Sequence, residues 1–141
     1  MAKVMVKSDK DLHFTTELIT NAIEKEAFTG LGIDHGVIRS IVIESIQNLD
    51  WDLYFWENST NNSTDLDLDK AIGWVALPNT IGFQIGATGQ YYYVKHDLYI
   101  PIRNLAHNET LYVGLVNRNG TQKEADASGY ITVMAMIDDG N

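Results

Sequence analysis

The stretch Val37–Glu57, VIRSIVIESIQNLDWDLYFWE, most constrains what this chain can fold into. It holds two runs of β-branched and aromatic residues broken at Gln47-Asn48, the pattern of two sheet strands joined by a tight turn. Successive strand side chains point to opposite faces. In the first run Val37, Ile41 and Ile43 therefore share a face with Arg39, and Ile38, Val42 and Ile46 share the other with Ser40 and Glu44. Neither face is cleanly polar. In the second run Trp51, Leu53 and Phe55 point one way, and Asp52, Tyr54 and Trp56 the other. The expectation is a sheet with aromatic rings left over on one face.

The rest of the chain continues in the same style. Leu12–Leu31 is ambiguous, because Leu18, Ala22, Ile23 and Glu26 sit at helical spacing while Thr15, Thr16, Thr20 and Thr29 favour a strand. A strand over about Ala22–Phe28, ending at the turn Gly30-Leu31-Gly32, is the preferred reading, with a short helix as the alternative. Asn58–Asp65, NSTNNSTD, is a polar loop. Leu66–Leu77 resumes the strand pattern, Thr80–Ile85 reads as a short strand, and Gly86-Ala87-Thr88-Gly89 as a flexible turn. Tyr91–Ile102 reads as one long strand, with Pro101 placing its end at a sheet edge or bulge, because proline cannot donate to a ladder. Thr110–Val116 and Tyr130–Ile137 supply the last two strands.

Seven or eight short strands at this spacing, with long connections, predict an all-β antiparallel sandwich of jelly-roll or Greek-key type. Residues 12–141 form its single domain, and residues 1–11, with Lys3, Lys7 and Lys10, an N-terminal arm too short and polar to pack by itself. A chain of 141 residues is long enough to bury roughly 68–70% of its unfolded surface.

Composition narrows the function classes. Cysteine is absent, which removes disulfides, thiolate catalysis and cysteine zinc sites together. The formal charge of −9, with Asp50, Asp52, Glu57, Asp65, Asp67 and Asp69 inside twenty positions, repels phosphate backbones and disfavours direct nucleic-acid binding. No apolar run has the ~18 residues of a membrane-spanning helix. The start MAKVMVKSDKD has no apolar signal-peptide core, so synthesis and retention in a cytoplasm are expected.

No residue pattern points to catalysis. Asp65-Leu66-Asp67-Leu68-Asp69 resembles the start of a calcium loop, but Lys70 stands where an EF-hand needs glycine and Ala76 where it needs glutamate. His13, His35, His96 and His107 are scattered, and no serine sits in a G-x-S-x-G setting. No catalytic residue, metal site or cofactor is therefore assigned. The sequons at Asn58, Asn61, Asn62, Asn108 and Asn119 mark polar loops. Aromatic residues are the more informative set. Trp51 and Trp74 are assigned to the core, whereas Trp56 and at least one of Tyr91, Tyr92 and Tyr93 are expected to face outward. These four residues are the candidate interaction surface, either a stacking platform for sugar rings or a patch covered by another subunit.

The segment Ile43–Trp56 (IESIQNLDWDLYFW), Leu66-Asp67-Leu68-Asp69-Lys70 and the closing LYVGLVNRNGTQKEADASGYITVMAMI resemble small β-sandwich proteins encoded among tailed-phage structural genes. That resemblance implies a capsid decoration, cement or head-accessory protein that sits on the assembled shell and associates with its own copies, often as a trimer. It implies a virion location, the major capsid protein or other virion proteins as partners, and no catalytic residues. The alternative is a carbohydrate- or receptor-binding module on the same scaffold.

Overall fold

The computed structural model describes residues 12–14, 17–18, 23–45, 47–57, 70–86, 89–105, 109–119, 123–124 and 131–138. The N-terminal arm and the polar loop 58–65 lie outside them. The strands are β1 (Leu12–Phe14), β2 (Glu17–Leu18), β3 (Ile23–Phe28), β4 (Gly36–Ser45), β5 (Trp51–Trp56), β6 (Ala71–Leu77), β7 (Tyr91–Lys95), β8 (Ile100–Ile102), β9 (Leu111–Asn117), β10 (Lys123–Glu124) and β11 (Ile131–Asp138). They form an antiparallel β-sandwich. One sheet, the front sheet, runs β1-β11-β4-β7 with β8 also paired to β4, and the back sheet runs β3-β9-β5-β6. β2 and β10 make a separate two-stranded ribbon. The strand read over Ala22–Phe28 is β3, and it ends at Gly30 and Gly32, whose φ values of 58° and 76° explain why glycine stands there.

The tight turn expected at Gln47-Asn48 is instead a crossing between sheets, because β4 belongs to the front sheet and β5 to the back. Among the described residues, β5 and β6 are the only paired strands that are consecutive in the chain. The crossing is held from outside by Tyr93 on β7, whose hydroxyl lies 2.7 Å from the Leu49 carbonyl oxygen and 2.9 Å from Asn48 Oδ1. Gly82 leaves room for that amide: a Cβ there would stand 2.1 Å from Asn48 Oδ1. At the far end of the crossing the Asp50 N–H donates to Asn119 Oδ1, and the Asp50 carbonyl accepts from Arg118 N–H and Asn119 Nδ2.

The mixed faces of β4 come from a bulge. Met136 of β11 pairs with Ser40 but Ile137 pairs with Ile38, so Arg39 is an extra residue and the inward parity changes from Ile38 to Ile41 and Ile43. Its neighbour on the other side changes parity in step. Tyr91–Ile102 is therefore not one strand but β7 and β8, interrupted around Asp97 (φ 59°), and the Leu98 N–H donates to the carbonyl of Arg39. Pro101 sits in β8, which pairs only with β4 and is an edge strand, as its missing N–H requires. Thr80–Ile85 is likewise not a strand: Asn79–Ile81 is a 3₁₀ turn, and only Phe83 bridges to Tyr92.

The core lies between the sheets. Ile38, Ile41, Ile43, Tyr93, Val133, Ala135 and Ile137 face Trp51, Leu53, Phe55, Val75, Leu77, Leu111, Val113 and Leu115, all essentially buried. Burying one such aliphatic side chain contributes about 1.5–3 kcal/mol. The Trp51 indole N–H has no acceptor among the described residues, a local cost inside this core.

Removing the Tyr93 hydroxyl tests the crossing. Burial pushes its pKa up to about 12, opposed by the hydrogen bond to Leu49 and reinforced by Asp50 and Tyr91. Tyr93→Phe should lower unfolding free energy by about 1–3 kcal/mol at neutral pH, read as a lower urea midpoint with an unchanged slope. An unfolded tyrosine ionises near pH 10. The wild-type chain should thus lose stability as pH rises from there towards about 12, and Tyr93→Phe should show a shallower loss over that window.

Candidate functional site

The outer face of the back sheet is built by register. Side by side across β3, β9, β5 and β6 lie Ile23, Val116, Asp52 and Ala76 in one row, Lys25, Gly114, Tyr54 and Trp74 in the next, and Ala27, Tyr112, Trp56 and Ala71 in the third. Trp56 does point away from the main core, as alternation requires, but it is only 1% exposed. The expectation that it faces solvent is corrected, and the reason is Gly114. A Cβ on Gly114 would stand 2.9 Å from the Trp56 ring and 2.5 Å from Ile23 Cδ1, so the indole and Ile23 fold into the space that a side chain would fill. Trp56, Ile23 and Val116 make a second small core, flanked by Tyr54, Ala71 and Tyr112. Lys25 Nζ lies 5.8 Å from the Trp56 ring centroid, a cation–π contact.

The ring left in solvent is Trp74, assigned from sequence to the core but 57% exposed. It stands on the edge strand β6 between Gly73 and Val75, and its cross-strand partner is Tyr54. Their centroids are 5.9 Å apart with planes 17° from parallel, and Tyr54 in turn meets Trp56 at 6.1 Å and 27°. A bulge opposite Phe55/Trp56 makes Ile72 the extra residue, which turns Ile72 inward and sets Ala71 beside Trp56. Beside the small side chain of Ala71 is an open depression of about 450 Å³ lined by Tyr54, Ala71, Ile72, Gly73 and Trp74. It adjoins a second one of about 310 Å³, lined by Glu57, Lys70, Ala71, Ile72, Pro101 and Arg103. The Glu57 carboxylate accepts the backbone N–H groups of Arg103 and Asn104, which fixes the wall of that second depression.

Asp52 closes the other end of the aromatic row. Arg118 Nε approaches it at 3.4 Å. Burial raises the Asp52 pKa, Arg118 lowers it in part, and Asp50 adds to the rise. The Tyr54 hydroxyl is also pushed up, by burial first and then by Asp52.

The three tyrosines divide between faces. Tyr93 is fully buried and Tyr91 packs half-buried against the same core, whereas Tyr92 lies opposite Glu44 on the outer face of the front sheet. Tyr92 is joined there by Phe83, which pairs with it through two backbone hydrogen bonds of 2.8 and 3.0 Å and whose ring lies 6.1 Å away. Phe83 is 42% and Ile85 65% exposed. Val42 and Val94, paired across β4 and β7, continue this face and are half-exposed. Phe83 escaped the sequence reading because only the fold sets it at the sheet edge beside Tyr92.

Asp65–Asp69, His107 and the sequons at Asn58, Asn61, Asn62 and Asn108 lie outside the described residues, as does the side chain of His13. His35 Nδ1 contacts its neighbour Asp34 at 2.6 Å on an exposed loop, and His96 falls in the break between β7 and β8. Among the described residues no group of three or more histidines and carboxylates is placed to hold a metal ion, and no helix is long and apolar enough to cross a membrane. The Asn119 amide is engaged, donating to the Asp50 carbonyl and to Asn117 Oδ1.

Gly114 is the residue on which the shape of the aromatic row turns. Gly114→Ala should cost about 1–3 kcal/mol in unfolding free energy through overpacking. It should also shift tryptophan emission to the red as Trp56 is lifted towards water. Unchanged emission and stability would refute this account of why Trp56 is covered. The sequence matches no known family and no characterised protein.

Proposed function

We propose that this chain is a non-enzymatic structural protein of a phage virion, which decorates or cements the capsid by associating with its own copies and with the lattice. The observation that carries this reading is the outer face of the front sheet. An antiparallel sheet with one face on the core ordinarily turns polar side chains to water. Here Phe83, Tyr92, Val42 and Val94 occupy that position, and Ile85, two residues beyond Phe83, is exposed as well. Apolar side chains left on an outer face are what a subunit contact covers, and the aromatic ones are the residue types that anchor such contacts. Tyr92 belongs to the surface first picked out in the sequence, whereas Trp56 and Tyr93 are buried within the monomer.

The second reading is a carbohydrate- or receptor-binding module. It no longer leans on Trp56 and Tyr93. What favours it is the near-parallel pair Tyr54 and Trp74 beside an open depression on the opposite sheet.

Light scattering tests the first reading. The wild-type chain should have the mass of a trimer or larger assembly and sediment with capsids. Ile85→Asp combined with Phe83→Ser should reduce it to a monomer with an unchanged circular dichroism spectrum, since both residues are exposed. A wild-type chain that stays monomeric at all concentrations and does not sediment with particles would contradict the proposal.

A further inference from the structure

Asn119 is the one asparagine of the chain that a glycine follows, at Asn119-Gly120. An Asn-Gly pair is especially prone to spontaneous loss of the side-chain amide, because glycine has no Cβ to hinder the approach of its own backbone nitrogen to the asparagine Cγ. The folded chain holds that amide in one orientation. Asn119 Oδ1 accepts the Asp50 N–H at 3.1 Å, and Nδ2 donates to the Asp50 carbonyl at 3.1 Å and to Asn117 Oδ1 at 2.8 Å. The Asn119 N–H donates to the same Asn117 Oδ1 at 2.8 Å, and Asn117 is fully buried. The side-chain amide thus clamps the backbone of the crossing, pairing donor with acceptor on both sides.

We propose that Asn119 is a site of non-enzymatic deamidation, which the fold suppresses through this clamp and which, once it has occurred, keeps the clamp from closing again. The reaction needs water and no other reagent. The Gly120 nitrogen gives up its proton and bonds to Asn119 Cγ, the Cγ–Nδ2 bond breaks, and Nδ2 leaves as ammonia, giving a cyclic imide. Water then opens the ring at either carbonyl, to aspartate or to isoaspartate, with no change of oxidation state. While Asp50 and Asn117 hold both amide atoms the side chain cannot turn freely, so the ring closes from a locally opened state whose population the clamp sets. An aspartate at this position keeps an acceptor for the Asp50 N–H but turns a second acceptor towards the Asp50 carbonyl and Asn117 Oδ1, where Nδ2 had donated. It also adds a negative charge to a chain that already carries −9. Isoaspartate lengthens the main chain by one methylene as well. The change is one-way, and it acts where the two sheets are joined.

Timed incubation of the full chain in mildly alkaline buffer, with and without urea above the unfolding midpoint, followed by peptide mass mapping, tests the proposal. Deamidation at Asn119 should run about tenfold or more faster in urea than in the folded chain. Asn48, Asn79 and Asn104, each followed by a bulkier residue, should stay unmodified over the same time. Gly120→Val should suppress the reaction in urea, since a β-branched side chain hinders the attacking nitrogen. Tyr93→Phe, which loosens the crossing from its other side, should speed the reaction in the folded chain and leave the rate in urea unchanged. Asn119→Asp should unfold at a lower urea concentration than the wild type. Equal rates with and without urea overturn suppression by the clamp, and no modification of Asn119 in urea overturns the site. An unchanged midpoint for Asn119→Asp overturns the consequence. The rate comparison uses the wild-type chain alone, so it decides the matter even where Asn119→Asp does not fold.

Discussion

The crossing from β4 to β5 is the constraint on which the rest of this sandwich depends. The chain must leave Ser45 in one sheet and reach Trp51 in the other, and stacked sheets lie about 10 Å apart. Its backbone polar groups need partners along the way. Tyr93 supplies a hydroxyl to Asn48 and Leu49, Asn119 and Arg118 supply donors and an acceptor to Asp50, and the Gln47 N–H donates to Ser45 Oγ. Tyr93, Arg118 and Asn119 are distant from the crossing in sequence, so the crossing and the sheets around it are mutually dependent. With it in place, the richest hydrophobic stretch of the chain serves both sheets at once, Ile38, Ile41 and Ile43 on one side of the core and Trp51, Leu53 and Phe55 on the other.

Where alternation runs unbroken, sequence reading and structure agree. The inward set Trp51, Leu53 and Phe55, the set Leu111, Val113 and Leu115, and the set Val133, Ala135 and Ile137 are all buried as their period of two requires. Failures occur where a residue is added or the backbone turns. Arg39 and Ile72 are bulge residues and Asp97 has a positive φ, and at each of these the inward parity changes without any mark in local composition. The tryptophans were exchanged for a different reason. Burial of Trp56 depends on Gly114, far along the chain, and exposure of Trp74 depends on β6 being an edge strand. Neither fact is local, so no window around either tryptophan contains it.

Both sheets therefore turn apolar surface outward, but in different forms. The front sheet offers a broad patch at the β7 edge, and the back sheet a narrow aromatic row with cations at one end. The edges between them are guarded. β1 lies against β3 and β6 against β8, and a Cβ at Gly73 would stand 2.8 Å from the Ile100 side chain. On β3, Glu24 and Glu26 occupy the inward register opposite Leu115 and Val113, a placement of charge that discourages strand addition at an edge. Association through the outer faces, rather than by strand pairing, is the route this architecture leaves open.

The division of labour between the two faces is the central claim, and a cysteine-free chain allows a direct distance measurement on it. A spin label would be placed at Gln84→Cys beside Ile85, or at Ala76→Cys on the back sheet, both exposed positions. Dipolar spectroscopy then reads the separation between copies in the assembled protein. The account predicts short distances between copies for the label at position 84 and long or unmeasurable ones for the label at position 76. The reverse order would place self-association on the back sheet and contradict the account.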